Sequence, residues 1–395
     1  MVFKNKKYLD KGLSQGFLSL YIGKMIIQLA SGIGSLFLPI FLYKVYSFNF
    51  SYVIYFYIIN NLAYLFLVPY GAKFLNKFGF RKSLRLSVIF GALFYGSFYF
   101  VNEDNIYYLI IVPLVALTFL RMTYWLPYHV DFAKFTDKKN RGRQFSILQA
   151  TLLLISVVSP LIFGFLVDRF NFKAMFIGGA IIYLLSGIAY FSIPRTREKF
   201  AWKYFQSWKE FFSKKNRGTV LAYIGDGAEG IVGTIVWPIF IWELLNGDFL
   251  QVGIISTLII GVSVVLQLVF GKYTDKMNKK KLLRWGSFLY SAGWLAKIFA
   301  VTAFQIFITA TYHNLSSIFF RTPFDVLTYE IAADEGHYVD EFTVLHEIAI
   351  GVGRVLMLVF ILILVLFLGL SIEWTFILAA LSSLLVNFLE FRRLR

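Results

Sequence analysis

Gly271-Lys272-Tyr273-Thr274-Asp275-Lys276-Met277-Asn278-Lys279-Lys280-Lys281 lies between two apolar runs, and an earlier stretch, Ala72-Lys73-Phe74-Leu75-Asn76-Lys77-Phe78-Gly79-Phe80-Arg81-Lys82, repeats its pattern. Adding 199 to a residue number in the earlier copy gives its counterpart in the later one. The same offset pairs Pro39 with Pro238, each inside Pro-Ile-Phe, and Arg85 with Arg284. A register that holds through one apolar span, a second span and the loop after it is hard to obtain by chance. The chain reads as two related halves.

With 58% hydrophobic and 15% charged residues, a chain of 395 residues carries more apolar surface than a soluble domain can bury. It reads as an all-α integral membrane protein. The net charge of +17 does not point to nucleic acid, because the basic residues cluster between apolar runs instead of covering one polar face. The absence of cysteine excludes disulfides, thiol catalysis and Cys-based metal sites. After Lys4, Lys6, Lys7 and Lys11 the first apolar run is about thirty residues, longer than the ~7–15 of a signal-peptide core, and so reads as an uncleaved first span.

A bilayer-crossing helix needs roughly 20 mostly apolar residues. Twelve such spans are expected, near 13–43, 50–75, 84–101, 106–132, 146–167, 174–193, 218–245, 250–271, 283–303, 305–329, 342–367 and 371–391. They divide into a six-helix bundle in 1–193, a basic cytoplasmic linker in 194–217 and a second six-helix bundle in 218–395. The linker sets Trp202, Phe205 and Trp208 among Lys and Arg, as suits an amphipathic segment on an anionic inner leaflet. If the N-terminus is cytoplasmic, inner segments collect 31 of the 39 Lys and Arg, while outer segments hold only Lys44, Arg169 and Lys173. This asymmetry predicts a multi-pass protein of the cytoplasmic membrane with both termini inside. The acidic loop 330–341 does not oppose it, since Asp and Glu count little in orientation.

Two six-span halves, a basic central link and a loop of the form Gly-x-x-x-Asp-Lys/Arg-x-Gly-x-Lys/Arg after the second and eighth spans resemble the major facilitator superfamily of secondary transporters. Gly271–Lys281 carries the strongest match, with Asp275 and Lys276 at the acidic and basic positions. In the first copy Asn76 replaces the acid and Ala72 the leading glycine. Ser159-Pro160-Leu161-Ile162-Phe163-Gly164 is a degraded echo of the Gly-Pro-x-x-Gly-Gly segment frequent in the family's exporters. The resemblance implies alternating access by a monomer, with spans one, four, seven and ten around a central cavity and span eleven beside ten.

The loop residues also have a physical reading of their own. A carboxylate or amide at a helix end can cap a neighbouring helix and pair with Lys or Arg in one rocking state only. Asn76, Lys77, Arg81, Asp275 and Lys276 are therefore candidate gating residues. Interfacial anchoring is the alternative for each.

Five basic residues stand inside spans: Lys24, Arg121, Lys297, Arg321 and Arg354. With them stand Asp131, Asp226, Glu229, Asp325 and Glu347. Each costs roughly 2.5–3.5 kcal/mol against lipid on insertion scales, so they must face a cavity or partners. Arg321 and Asp325 are i,i+4, Asp226 and Glu229 are i,i+3, and Glu347 and Arg354 are i,i+7, which places each pair on a shared helix face. Lys24, Arg121 and Arg354 lie near the expected midplane, where transporters hold substrate. Lys24, Gln28, Arg121, Tyr124, Trp125, Arg321 and Arg354 are the candidate substrate-binding residues, with Trp237 as a further cavity aromatic. Asp226, Glu229, Asp325 and Glu347 are candidate proton-coupling groups, since carboxyls among cations in low dielectric can titrate as a cavity opens. His129 and His346 are secondary candidates, and Lys297 is expected to snorkel or to pair structurally. For every one of these residues a static helix-orienting salt bridge or packing contact is the competing reading.

Enzyme motifs are missing. His346-Glu347-Ile348-Ala349-Ile350 begins like a zinc-protease helix but lacks the second His, and the chain holds no phosphate-binding Gly-x-x-x-x-Gly-Lys-Ser/Thr loop and no Gly-x-Ser-x-Gly elbow. The expected activity is secondary transport of a small anionic or zwitterionic solute, proton-coupled, with no cofactor or metal. A drug or amphiphile exporter of the same fold and a non-transporting sensor are the alternatives.

Overall fold

The computed structural model describes residues 14–135, 141–195, 200, 202–274, 277–334 and 339–389, and among these it is helical with no strand. The helices are α1 (Gln15–Val45), α2 (Phe50–Phe78), α3 (Phe80–Phe98), α4 (Ile111–Phe135), α5 (Arg141–Arg169), α6 (Phe172–Phe191), α7 (Tyr204–Phe211), α8 (Arg217–Leu244), α9 (Phe249–Thr274), α10 (Lys279–Lys297), α11 (Ala303–Asp334), α12 (Val339–Leu362) and α13 (Thr375–Ser383). Polar residues mark their starts: Ser14, Asn49, Asn171 and Asn278 accept from backbone N–H groups of the first turn. A π-helical turn at Ile33–Phe37 precedes Pro39, whose ring and missing N–H disrupt the regular ladder of α1.

Among the described residues, eight stretches are long and apolar enough to cross a membrane: Gln15–Val45, Phe50–Phe78, Ile106–Tyr128, Ala150–Arg169, Phe172–Phe191, Lys214–Leu244, Phe249–Phe270 and Glu341–Phe367. The other four expected spans are helical but shorter or more polar. Helices α3 and α10 open inside the basic loops, α11 carries His313, Arg321 and Asp325, and the last apolar helix is Ile372–Phe388. Phe249–Phe270 has a mean hydropathy of 2.4 yet is only 22% buried, so its apolar side chains point outward. That distribution is the reverse of a water-soluble core and fits a lipid solvent.

Helix contacts repeat with the sequence. Before residue 194, α3 lies against α4 and α6, α1 against α5 and α6, and α2 against α4. After residue 217, α10 lies against α11 and α13, α8 against α12 and α13, and α9 against α11. Between these regions α5 packs on α9 and α2 on α12. At the first crossing the backbones nearly touch: a Cβ on Gly164 would sit 2.8 Å from the Phe249 carbonyl oxygen and 3.2 Å from the Gly253 Cα. Gly164, the surviving glycine of the degraded Pro160 segment, is needed for this approach.

The 199-residue repeat also shows in one turn. Tyr46-Ser47-Phe48-Asn49 and Leu245-Asn246-Gly247-Asp248, 199 apart, each hold two successive residues at positive φ: Ser47 at 53° and Phe48 at 63°, Asn246 at 54° and Gly247 at 82°. Their hydrogen bonds correspond one to one, from Phe48 N to Tyr43 O and from Gly247 N to Trp242 O among them. Glycine suits this left-handed backbone, and Phe48 adopts it against its preference.

Candidate functional site

Helix α8 carries Asp226 and Glu229 one turn apart, and Arg321 on α11 forms ion pairs with both, Nη1 to Asp226 and Nη2 to Glu229. The spacing on α11 suggests a pair with Asp325, but the guanidinium crosses instead to two carboxylates that its fork can engage together. Asp325 remains within electrostatic reach of Arg321, Asp226 and His346. Tyr290 of α10 donates its hydroxyl to Glu229 Oε2 at 3.1 Å. Its ring stacks on Phe320 at 4.4 Å and lies 4.1 Å from the ring of His313.

This network forms one wall of a cavity of about 380 Å³. Glu229, Trp237, Tyr290, Trp294, Lys297, His313 and Arg321 line one side, and Gly32, Ser35, Leu36 and Pro160 the other. Lys297 does not snorkel: it is 3% exposed, with Nζ 3.8 Å from the ring centroid of Trp294 and 4.3 Å from that of Trp237. The two indole faces supply the favourable field that lets a cation stay at this depth.

A second network joins α2, α4 and α12. Arg121, 9% exposed, donates Nη1 to Asn60 Oδ1 at 3.1 Å and Asn61 Oδ1 at 3.0 Å, and its guanidinium lies 3.9 Å from the Tyr64 ring centroid. Tyr64 donates its hydroxyl to Glu347 Oε2 at 2.8 Å, a bond between α2 and α12. Arg354 is within electrostatic reach of Tyr64 and Arg121. His346 sits beside Glu347, Nδ1 to Oε1 3.8 Å, with its ring edge-on to Tyr223.

Lys24 belongs to a third group. Its Nζ lies 4.8 Å from the Trp125 ring and 5.5 Å from those of Tyr124 and Tyr128, so the predicted Tyr124 and Trp125, joined by Tyr128, cradle the predicted cation. Gln28, one turn on, donates to Ser156 Oγ at 2.7 Å. The predicted residues thus fall into three groups, and of them Glu229, Arg321 and Trp237 line the cavity. Periodicity missed Asn60, Asn61, Tyr64 and Tyr290. An Asn-Asn pair inside an apolar span was the available signal, because buried amides need partners.

Asn76 forms a reciprocal pair with the linker backbone: Nδ2 donates to Phe200 O at 2.9 Å, and Phe200 N donates to Oδ1 at 2.8 Å. A carboxylate could only accept, so the amide in this copy of the loop has a local reason. Arg85 donates to the carbonyls of Tyr190 and Phe191, which end α6. Arg81 is half-buried and Lys77 exposed, its Nζ 5.6 Å from the Phe78 ring. Asp275 and Lys276 lie outside the described residues, as do the side chains of His129 and Asp131.

At the opposite helix ends, which the sequence places outside, Tyr43 donates to Glu243 Oε1 at 2.6 Å and meets Trp242 edge-on at 6.3 Å. Phe48 stacks on Trp242 at 6.2 Å, and Lys44 Nζ lies 5.3 Å from the Phe249 ring. Tyr43 and Lys44 are the 199-offset counterparts of Trp242 and Glu243. The repeated α1 and α8 ends therefore close on one another.

The family model for the Major Facilitator Superfamily matches residues 20–225, just over half of the chain. No curated protein matches it.

Proposed function

Because the chain belongs to the major facilitator superfamily of transporters, we propose that it is a secondary carrier with two pseudo-symmetric bundles of six membrane spans each. Residues 1–193 and 218–395, joined by the basic linker 194–217, rock about a site between them and move a small anionic or zwitterionic solute across the cytoplasmic membrane. Both termini are cytoplasmic, the unit is a monomer, and protons drive the cycle. The observation that carries this reading is a cavity bounded from both copies of the repeat, with Glu229, Lys297 and Arg321 in its wall. Charges at membrane depth are stable where they meet such a cavity or partners.

In this cycle Tyr43–Glu243 and the aromatic contacts around Trp242 hold one entrance shut, and the Tyr64–Glu347 bond ties α2 to α12 at mid-length. Proton arrival at Glu347 or Glu229 removes an acceptor charge from its network, which frees a tyrosine hydroxyl or the Arg321 guanidinium to rearrange. Lys24, Arg121 and Arg354 supply the positive field for an anionic cargo. Asn76, Lys77, Arg81, Asp275 and Lys276 act at the loops that separate when the bundles rock.

Uptake into proteoliposomes tests this, after a thermal-shift screen of metabolite classes at two pH values selects the solute. Saturable flux driven by a proton gradient, lost in Arg121→Ala and Arg354→Ala, is the expected result. Binding without flux identifies a sensor instead, and flux at channel rates or chemical turnover of the solute overturns the proposal.

A further inference from the structure

We infer that the cavity is a binding site for a small organic monocarboxylate, whose carboxylate sits on Lys297 Nζ and whose compact apolar body lies against Trp237, Leu36, Ile259 and Ile260. This names the cargo class of the proposed carrier and rests on that reading for transport, though not for binding.

The argument begins with what Lys297 lacks. Its side chain is 3% exposed, yet among the described residues its ammonium meets indole faces and the cavity and, although Glu229 is within electrostatic reach, makes no ion pair. Cation–π contacts offset part of the desolvation of an ammonium, about 2 kcal/mol when dry, and leave its three N–H donors unused. His313 lines the same cavity, but its Nδ1 is buried against Gly293, so the unused donors at the cavity are those of Lys297. A buried ammonium with unused donors in the wall of a cavity fits a single carboxylate, the strong charge-assisted partner of a lysine.

The neighbours narrow the class further. Glu229 and Asp226 are already held by Arg321, and Glu229 also accepts from Tyr290, so no carboxylate of this wall is left over for a ligand amine. That selects a monoacid over an amino acid. Trp237 is only half-buried, and with Leu36, Ile241, Ile259 and Ile260 it presents apolar surface to the cavity. A cavity of about 380 Å³ is at the small end of ligand sites, which suits a body of roughly ring size.

Benzoate and its neutral isostere benzamide are the probes, read by quenching of the intrinsic tryptophan fluorescence of the purified full chain. Wild-type protein is expected to show saturable quenching by benzoate at least tenfold tighter than by benzamide. Lys297→Gln should erase the difference, Lys297→Arg should retain most of it, and Lys173→Gln, a cation outside the cavity whose Nζ lies 5.4 Å from the Tyr99 ring, should leave it within about twofold. Equal affinity for the two probes in the wild type overturns the inference, and this comparison does not depend on any variant folding. Unchanged discrimination in a folded Lys297→Gln overturns it as well. Benzoate binding with no gradient-driven benzoate uptake would leave the site standing and sink the carrier reading. Saturable uptake of another anion that Lys297→Gln leaves untouched would do the opposite.

Discussion

Arg321 meets two carboxylates on α8, and its value lies in what its loss would strand. Arg321→Met leaves Asp226 and Glu229 facing each other without their ion-pair partner, and removal of one member of a buried pair costs about 3–5 kcal/mol. The guanidinium side chain is 35% exposed, so the low end, about 3 kcal/mol, is expected in denaturant titrations in detergent. Adding Asp226→Asn and Glu229→Gln should restore most of that stability. If the triple variant is no better than the single one, the ion network is not what the arginine supports. Asn76 allows a similar test. Asn76→Asp removes a donor to Phe200 O and sets an anion against that carbonyl, a loss of about 1–3 kcal/mol. Proteolysis of the linker should accelerate accordingly, and an unchanged cleavage rate would show that the amide pair does not fasten the segment.

Helices and turns carry their own constraints. Gly247 sits at φ 82° beneath Trp242, where an added Cβ would lie 3.2 Å from the indole. Gly247→Ala should therefore cost about 1–2 kcal/mol in thermal unfolding through the left-handed backbone alone. A neutral outcome would mean that the turn relaxes independently of α8 and α9. At the α5–α9 crossing, Gly164→Ala places a methyl against the Phe249 carbonyl and should cost about 1–3 kcal/mol through overpacking. Cross-linking between α5 and α9 reports the same event as a loss of proximity.

For the molecule as a whole, the proposed rocking requires that the closed end be held by few interactions. Tyr43→Phe deletes the hydroxyl that donates to Glu243 and keeps the ring against Trp242. A partly exposed bond to a carboxylate contributes about 1 kcal/mol, so the population open at that end should rise roughly fivefold. The chain contains no cysteine, so a single Ser35→Cys in the cavity wall reports opening without background. Its reaction with a membrane-impermeant thiol reagent should quicken in the Tyr43→Phe protein. An unaltered rate would remove the Tyr43–Glu243 contact from any gating role.

Composition, the offset of 199 and the apolar runs were enough to identify a helical, multi-span chain with an internal repeat, because lipid forces backbone hydrogen bonds into helices and a repeat is read directly from register. They also singled out Glu229 and Arg321, since ionised groups among apolar residues are conspicuous in any linear reading. Partnership was not legible. Arg321 prefers two carboxylates on α8 over its i,i+4 neighbour, Lys297 stays buried between two indoles instead of snorkelling, and Asn60, Asn61 and Tyr64 complete the Arg121 network from another helix. Those choices depend on how α2, α8, α10 and α11 are brought side by side. Spacing along one helix sets which residues share a face, and only tertiary contact decides what that face meets.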